Sequence, residues 1–179
     1  MHNLSSHRIP KGFRGKSKLY VQLWWLVQVI FISFSPQVFY GWRRFWLRMF
    51  GATIGKKVLV RPSVKITYPW KVSIGDYSWI GDDVVLYSLG EIEIGRNTVI
   101  SQKSYLCTGS HDYTKETFDI IANRITIGNE CWVATDVFIA PGIVIADGAV
   151  IGARSSVFKN IKTNTINTGS PAKEIRKRK

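Results

Sequence analysis

A single histidine stands in the body of this chain. His111 lies in the segment TGSHDY, residues 108–113, with Asp112 next to it, whereas His2 and His7 belong to a polar amino-terminal stretch expected to be mobile. Imidazole takes up and returns a proton near neutral pH, which suits His111 to general-base work. Asp112 is the group expected to orient the ring, although adjacent side chains often point apart. Cys107 and Cys131 are not a close pair and have no ligand-spaced histidines. Neither a disulfide framework nor a zinc site is indicated, no metal is expected, and a reducing compartment is the simplest reading.

Whatever positions His111 is written as a repeat. From Ile54 onward an aliphatic residue recurs every six positions, usually followed by glycine or another small residue, with a small or β-branched residue four positions on. The units read IGKKVL, VRPSVK and ITYPWK, then IGDYSW, IGDDVV and LYSLGE, then IGRNTV, ISQKSY and LCTGSH. Ile54, Ile74 and Ile94 head cycles 20 residues long, and after a break Ile127 and Ile145 head cycles of 18. Each hexad makes one short strand and one corner, with the aliphatic side chain pointing inward. Glycine after it is expected to relieve strain at the bend. Five turns of a triangular coil fit, and an antiparallel sheet with glycine turns would not hold a six-residue phase so long. Periodicity does not determine handedness, and the general crossover rule alone would favour right-handed coils.

The cycle lapses once. Leu106 opens the last hexad of the third coil, yet the next residue in register is Ile127, so a loop of about 109 to 124 is expelled from the prism, and it carries His111.

The stretch before the prism has a different composition. Up to Gly75 there are 13 Lys or Arg and no Asp or Glu, whereas from Asp76 onward 12 basic residues face 12 acidic ones, so the formal charge of +13 belongs to the first part. An anionic partner near that end, a lipid surface or a polyphosphate, is implied. Tyr20 to Phe34 is apolar nearly all round but would reach only about 22 Å as a helix, short of a bilayer span. Ser35-Pro36 breaks it. A second helix is expected from Pro36 to Phe50, with Val38, Trp42, Phe45, Trp46 and Met49 on one side and Arg43, Arg44 and Arg48 on the other. Such a helix rests in a membrane interface or covers the open end of the prism. A cleaved signal peptide is rejected, because no small-residue cleavage site follows the apolar run. The expected organisation is a basic segment at 1–16, a helical pair at 17–50, a parallel β-helix at 51–166 and a basic tail at 167–179.

The hexads, TGSHDY, the run IGNECWVATDVFIAPGIVIADGAVIGARSSV and the terminal NTGSPAKEIR together resemble the hexapeptide-repeat acetyltransferases. The similarity is greatest to the colanic-acid-type sugar O-acetyltransferases and weaker to the maltose and galactoside enzymes. It implies a mainly β fold, a left-handed parallel β-helix, and a homotrimer with acetyl-CoA bound between adjacent prisms. It also implies direct transfer to a hydroxyl, with His111 as base.

Further roles come from the same resemblance. Trp132 would line the thioester end of the cofactor channel, and Thr135 and Ala153 would let the pantetheine arm lie against the prism. Lys159, Lys173 and Arg176 would approach the nucleotide phosphates. Phe158 stands where relatives often have threonine, which leaves the adenine contact open. The acceptor side matches least, and Tyr87 and Ser88 are the polar groups nearest that level. The expected acceptor is a sugar, free or on a glycolipid intermediate, and the expected location is the cytoplasm or the cytoplasmic membrane face. Two alternatives stay open: a catalytically silent hexapeptide scaffold, and transfer from an acyl carrier protein. Nucleic acid is not an expected partner, since the basic residues carry no nucleic-acid motif. A carbonic anhydrase on the same prism would need three histidines.

Overall fold

The computed structural model describes residues 3–179. Short parallel strands stack into three flat faces around an apolar axis, wound as a left-handed coil. Face A stacks Thr53–Ile54, Val72–Ile74, Ile92–Ile94, Ile125–Ile127 and Val144–Ile145. Face B stacks Leu59–Val60, Trp79–Ile80, Val99–Ile100, Trp132–Val133, Val150–Ile151 and Thr165–Thr168, with Lys173–Lys177 added antiparallel. Face C stacks Lys65–Ile66, Val85–Tyr87, Tyr105–Cys107, Phe138–Ile139 and Ser156–Val157.

The hexad pattern explains the core. The inward aliphatics Ile74, Ile80, Leu86, Ile94, Ile100 and Leu106 are all buried, and so are the corner residues four positions on, among them Ser78, Val84, Thr98 and Ser104. Hydroxyls at the corners close local hydrogen bonds: Ser78 Oγ donates to the Gly95 carbonyl at 2.6 Å, and Ser104 Oγ to that of Ala134 at 2.9 Å. A polar corner is therefore tolerated without an unsatisfied group.

The glycines after the aliphatics act differently from expectation. Gly75 and Gly95 are not in the left-handed region; a Cβ on either would lie 2.6 Å from backbone of the next coil. They are required by the close stacking of corners. The left-handed residue comes two positions later, at Lys57, Tyr77, Asn97 and Glu130, with φ between 50° and 61°.

The expected five coils are joined by a partial sixth. Ile161 bridges Ile145, and Ile166 and Asn167 pair with Val150 and Ile151. The sequence conceals this turn because Ile161 follows Val157 by four residues where the phase needs six, and Asn167 fills the inward position that Ile151 holds one coil earlier, its Nδ2 donating to Thr165 Oγ1 at 2.8 Å.

Helix α1 (Lys18–Val27) continues as a π-helical turn, Gln28–Ser33, and α2 (Tyr40–Met49) begins four residues later than expected, after the Pro36 break. The two cover the first coil, whose outer edge would otherwise leave backbone groups unpaired. Arg43 Nε donates to the Val60 carbonyl at 2.6 Å and Arg44 Nη1 to that of Val58 at 2.9 Å. Arg48 reaches the carbonyls of Ile54 and Gly55. Trp24 Nε1 donates to the Ile66 carbonyl at 2.9 Å, while the Ile66 amide donates to Gln28 Oε1 at 2.7 Å. The arginine side of α2, with Leu47, thus faces the prism, while Trp42, Phe45 and Met49 face outward and Trp46 packs half-buried against the core. A guanidinium supplies several donors in a fixed fork, which an apolar side chain cannot offer to an edge of bare carbonyls.

Candidate active site

The expelled loop is an ordered β-hairpin at the corner between faces C and A. Gly109–His111 pairs antiparallel with Ile120–Ala122, setting Ser110 against Ile121 and His111 against Ile120. Gly109 roots it, since a Cβ there would meet Leu89 at 2.7 Å and the Tyr87 ring at 3.0 Å. The His111 ring stacks on Phe118, with centroids 4.3 Å apart and planes 7° from parallel. Its Nδ1 lies 3.0 Å from the Phe118 carbonyl oxygen. A carbonyl can only accept, so Nδ1 carries a proton, and in the neutral ring the lone pair is on Nε2.

Asp112 is turned to other work. Its Oδ1 accepts from the Thr114 hydroxyl at 2.5 Å and the Thr114 amide at 3.1 Å, and Lys115 lies 3.9 Å from its other oxygen. The group bonded to the His111 ring is the Phe118 carbonyl, which no side-chain pattern announces.

The amino-terminal stretch lies across this loop. The Asn3 amide donates to the Glu116 carbonyl at 2.8 Å, and His7 Nδ1 sits 3.1 Å from the Phe118 carbonyl, its ring 5.7 Å from that of His111. Trp70 Nε1 donates to the Arg14 carbonyl at 2.7 Å and Lys71 Nζ to that of Phe13 at 2.8 Å. Burial holds the Lys71 ammonium below its ordinary range. His2 lies outside the described residues.

The residues expected to hold a cofactor fall into two groups. Trp132 projects from face B, half exposed, with its Nε1 donating to Ser101 Oγ at 3.0 Å. Thr135 and Ala153 occupy the corner between faces B and C, one coil apart, where the Arg154 amide donates to the Thr135 carbonyl at 2.9 Å. Lys173 and Arg176 lie on the antiparallel strand that ends face B. Lys159 stands apart, after Ser156–Val157, at the corner from which the hairpin also springs. Within one chain the hairpin and the Trp132 track therefore lie on different sides of the prism.

Of the two acceptor candidates, Tyr87 packs at the hairpin root. Ser88 does not qualify: it is fully buried, donating to the Tyr68 carbonyl at 3.0 Å and accepting from the Tyr68 amide at 2.8 Å, so no exposed atom remains for a ligand.

No family model matches the chain. A protein of Escherichia coli strain K12 named as a colanic acid biosynthesis acetyltransferase, WcaF, is 61% identical over 178 residues, 99% of this chain and 98% of its own. The chain belongs to the hexapeptide-repeat acetyltransferases. Galactoside O-acetyltransferase of the same strain is 32% identical over 128 residues, 70% of this chain and 63% of its own. Among solved structures, a maltose O-acetyltransferase from Clostridium difficile 630 superposes with a TM-score of 0.82 at 26% identity, covering 91% of this chain and 90% of the other. A galactoside acetyltransferase in complex with coenzyme A gives 0.83 at 26% identity, covering 94% and 83%.

The acetyltransferase also has a cavity that sequence reasoning missed. It holds about 300 Å³ on face B, walled by Tyr40, Arg61, Trp79, Asp82, Ser101 and Gln102. Arg61 Nε pairs with Asp82 at 2.9 Å across it, and Trp79 is half exposed beside it. Its residues come from α2 and three coils, a grouping no linear motif encodes.

Acid should loosen the hairpin, whose short turn holds Asp112 and Asp119 with lowered pKa values, before the much longer prism, where Asp147 is the carboxyl so lowered, by the Asn129 amide. The Thr114 hydroxyl bonded to Asp112, and the Thr117 hydroxyl and Lys115 beside Asp119, hold both carboxyls below the usual carboxylate range. A depressed folded pKa contributes stability that is complete above the ordinary carboxylate value, roughly 4, and is lost as pH falls through the folded one. Limited proteolysis with an acid-active protease at stepped pH should cut within 112–119 first, and equal resistance of hairpin and prism would contradict this.

Proposed function

We propose that this acetyltransferase moves an acetyl group from acetyl-CoA to a sugar hydroxyl, with His111 Nε2 as the general base. The observation that carries the reading is the Phe118 carbonyl bonded to His111 Nδ1, which leaves Nε2 free to accept a proton. The acceptor hydroxyl gives its proton to Nε2 while its oxygen attacks the thioester carbon. The tetrahedral adduct, steadied by backbone amides or another nearby donor, then collapses and expels the coenzyme A thiolate, which takes the proton back from the imidazolium. Transfer is direct in a ternary complex, and no covalent acyl-enzyme forms.

The working assembly in this reading is a homotrimer. Outward side chains of face A are polar at Thr53, Ser73, Glu93 and Thr126, with Val144 the exception, whereas face C carries Tyr105 and Phe138, stacked with centroids 6.2 Å apart, and face B carries Trp79 and Trp132. Two apolar faces meeting at one corner suit packing of prism against prism. The hairpin of one subunit would then reach the Trp132 track of its neighbour, joining two groups that stand apart within one chain. The names of the relatives support a sugar acceptor, of the exopolysaccharide kind for the 61% identical protein. The face B cavity suits a pyranose, with an indole face for the ring and the Arg61–Asp82 pair and Gln102 for its hydroxyls. A glycolipid-linked sugar, met at the cytoplasmic membrane face, fits the basic helical end.

Thiol release from acetyl-CoA across a panel of sugar acceptors, with the native chain and His111→Ala, tests the reading. One acceptor turned over by the native chain alone supports it, and donation only from an acyl carrier protein, or no turnover with any donor, overturns it. Ala153 is exposed on the proposed cofactor track. Ala153→Trp should raise KM for acetyl-CoA by about tenfold or more, the worth of roughly 1.4 kcal/mol of lost binding, with the melting temperature unchanged; an unaltered KM would remove Ala153 from the track.

A further inference from the structure

The helical end of the prism carries an exposed apolar face in addition to the buried one that caps the first coil. Arg43, Arg44 and Arg48 are turned inward onto backbone carbonyls, beside the buried Val21, Trp24, Val27 and Leu47, and a second set of apolar residues on both helices looks outward. Along α1 the outward side chains are Leu19, Leu23 and Leu26, with Val29 and Ile30 beyond it. Phe34 and Val38 between the helices are 80% and 74% exposed, and Phe45 and Met49 of α2 are at least half exposed. An apolar cleft of about 240 Å³, walled by Ile30, Phe31, Phe34, Phe39 and Trp42, opens among them. Exposure of so much contiguous apolar surface marks an interaction site rather than ordinary surface.

The surroundings of this face identify the partner. Arg8, Lys11, Arg14, Lys16 and Lys18 border one open cradle just before α1, and no Asp or Glu occurs in the chain before Asp76. No helix among the described residues is long and apolar enough to cross a membrane. We propose that this end of the enzyme seats peripherally on an anionic bilayer, the outward helix faces entering the interface and the cationic cradle lying on lipid phosphates. Contact with a second copy of the same face would bring two cationic cradles together, whereas an anionic lipid surface complements them. The cradle continues into Asn3 and His7, which touch the hairpin backbone at Glu116 and Phe118. Seating therefore places the bilayer beside the chain segment that contacts the His111 hairpin. This inference does not depend on the transfer chemistry.

Co-sedimentation of the full chain with vesicles tests it, using phosphatidylcholine alone and phosphatidylcholine mixed with phosphatidylglycerol. Binding should require the anionic lipid and weaken by about tenfold or more when salt is raised from about 0.05 M to about 0.5 M. Leu26→Ser with Phe34→Ser, and separately Lys11→Gln with Lys18→Gln, should each lose a comparable factor while melting like the native chain. If the serine pair fails to fold, Met49→Ser serves in its place. No sedimentation with anionic vesicles at low salt would overturn the proposal. So would apolar variants that bind like the native chain, or apolar variants that only reduce the oligomer size in ultracentrifugation, which would make the face a contact between copies.

Discussion

Replacing His111 by alanine should lower acetyl transfer by about 10²- to 10⁴-fold, the ordinary worth of a positioned general base. The loss should appear in kcat, with coenzyme A affinity and melting temperature close to native, because the ring contributes to the hairpin mainly through its stack on Phe118 and one hydrogen bond. The hairpin is separately held by its strand pairing and by the Asp112–Thr114 and Lys115–Asp119 contacts. Steady-state kinetics with acetyl-CoA and a productive acceptor would check it. A variant retaining more than a third of native turnover would sink the base assignment, and a variant that melts early would shift His111 to a structural role.

A second large effect is expected far from the chemistry. Arg43 is fully buried, and its guanidinium donates to the Val60 carbonyl at 2.6 Å, to Ser35 Oγ and the Pro36 carbonyl at 2.8 Å each, and to the Gln37 carbonyl. Burial pulls its pKa below the usual arginine value, so the charge is retained at a cost that these acceptors offset. Arg43→Ala strands several buried carbonyls and opens a void, and should destabilise the fold by about 2–4 kcal/mol. For a chain of this size that corresponds to a fall in melting temperature of roughly 4 to 16 °C. Arg154→Ala is the control: Arg154 is highly exposed and 3.6 Å from Asp136, and its loss should be worth less than about 0.5 kcal/mol. Thermal denaturation of the two variants decides the matter, and equal melting would show that the edge of the first coil does not depend on Arg43.

Much of the architecture was legible in the residues because the β-helix is built from local rules. One inward aliphatic and one small corner residue per hexad specify strand, corner and stacking. The expelled segment was visible for the same reason, since a strict phase makes its lapse between Leu106 and Ile127 conspicuous. The partial sixth turn escaped because the step from Val157 to Ile161 breaks the six-residue phase and Asn167 puts an amide where Ile151 stands one coil earlier, although the backbone continues.

The sequence by itself determined the period, the axis-filling residues, the place of the loop and the segregation of charge. Each of these is set by neighbours within one or two turns of chain. Only the tertiary structure decided which side of α2 meets the prism, that a backbone carbonyl at Phe118 and not Asp112 holds the His111 ring, and that Asn3 and His7 lie against the hairpin. Those outcomes depend on unpaired backbone groups at an edge and at a turn, and a backbone carbonyl looks the same in every residue. Side-chain pattern could show that α2 has two faces, but the orphan carbonyls of the first coil, created only when the coil closes, drew the arginines inward and left Trp42 and Phe45 outside.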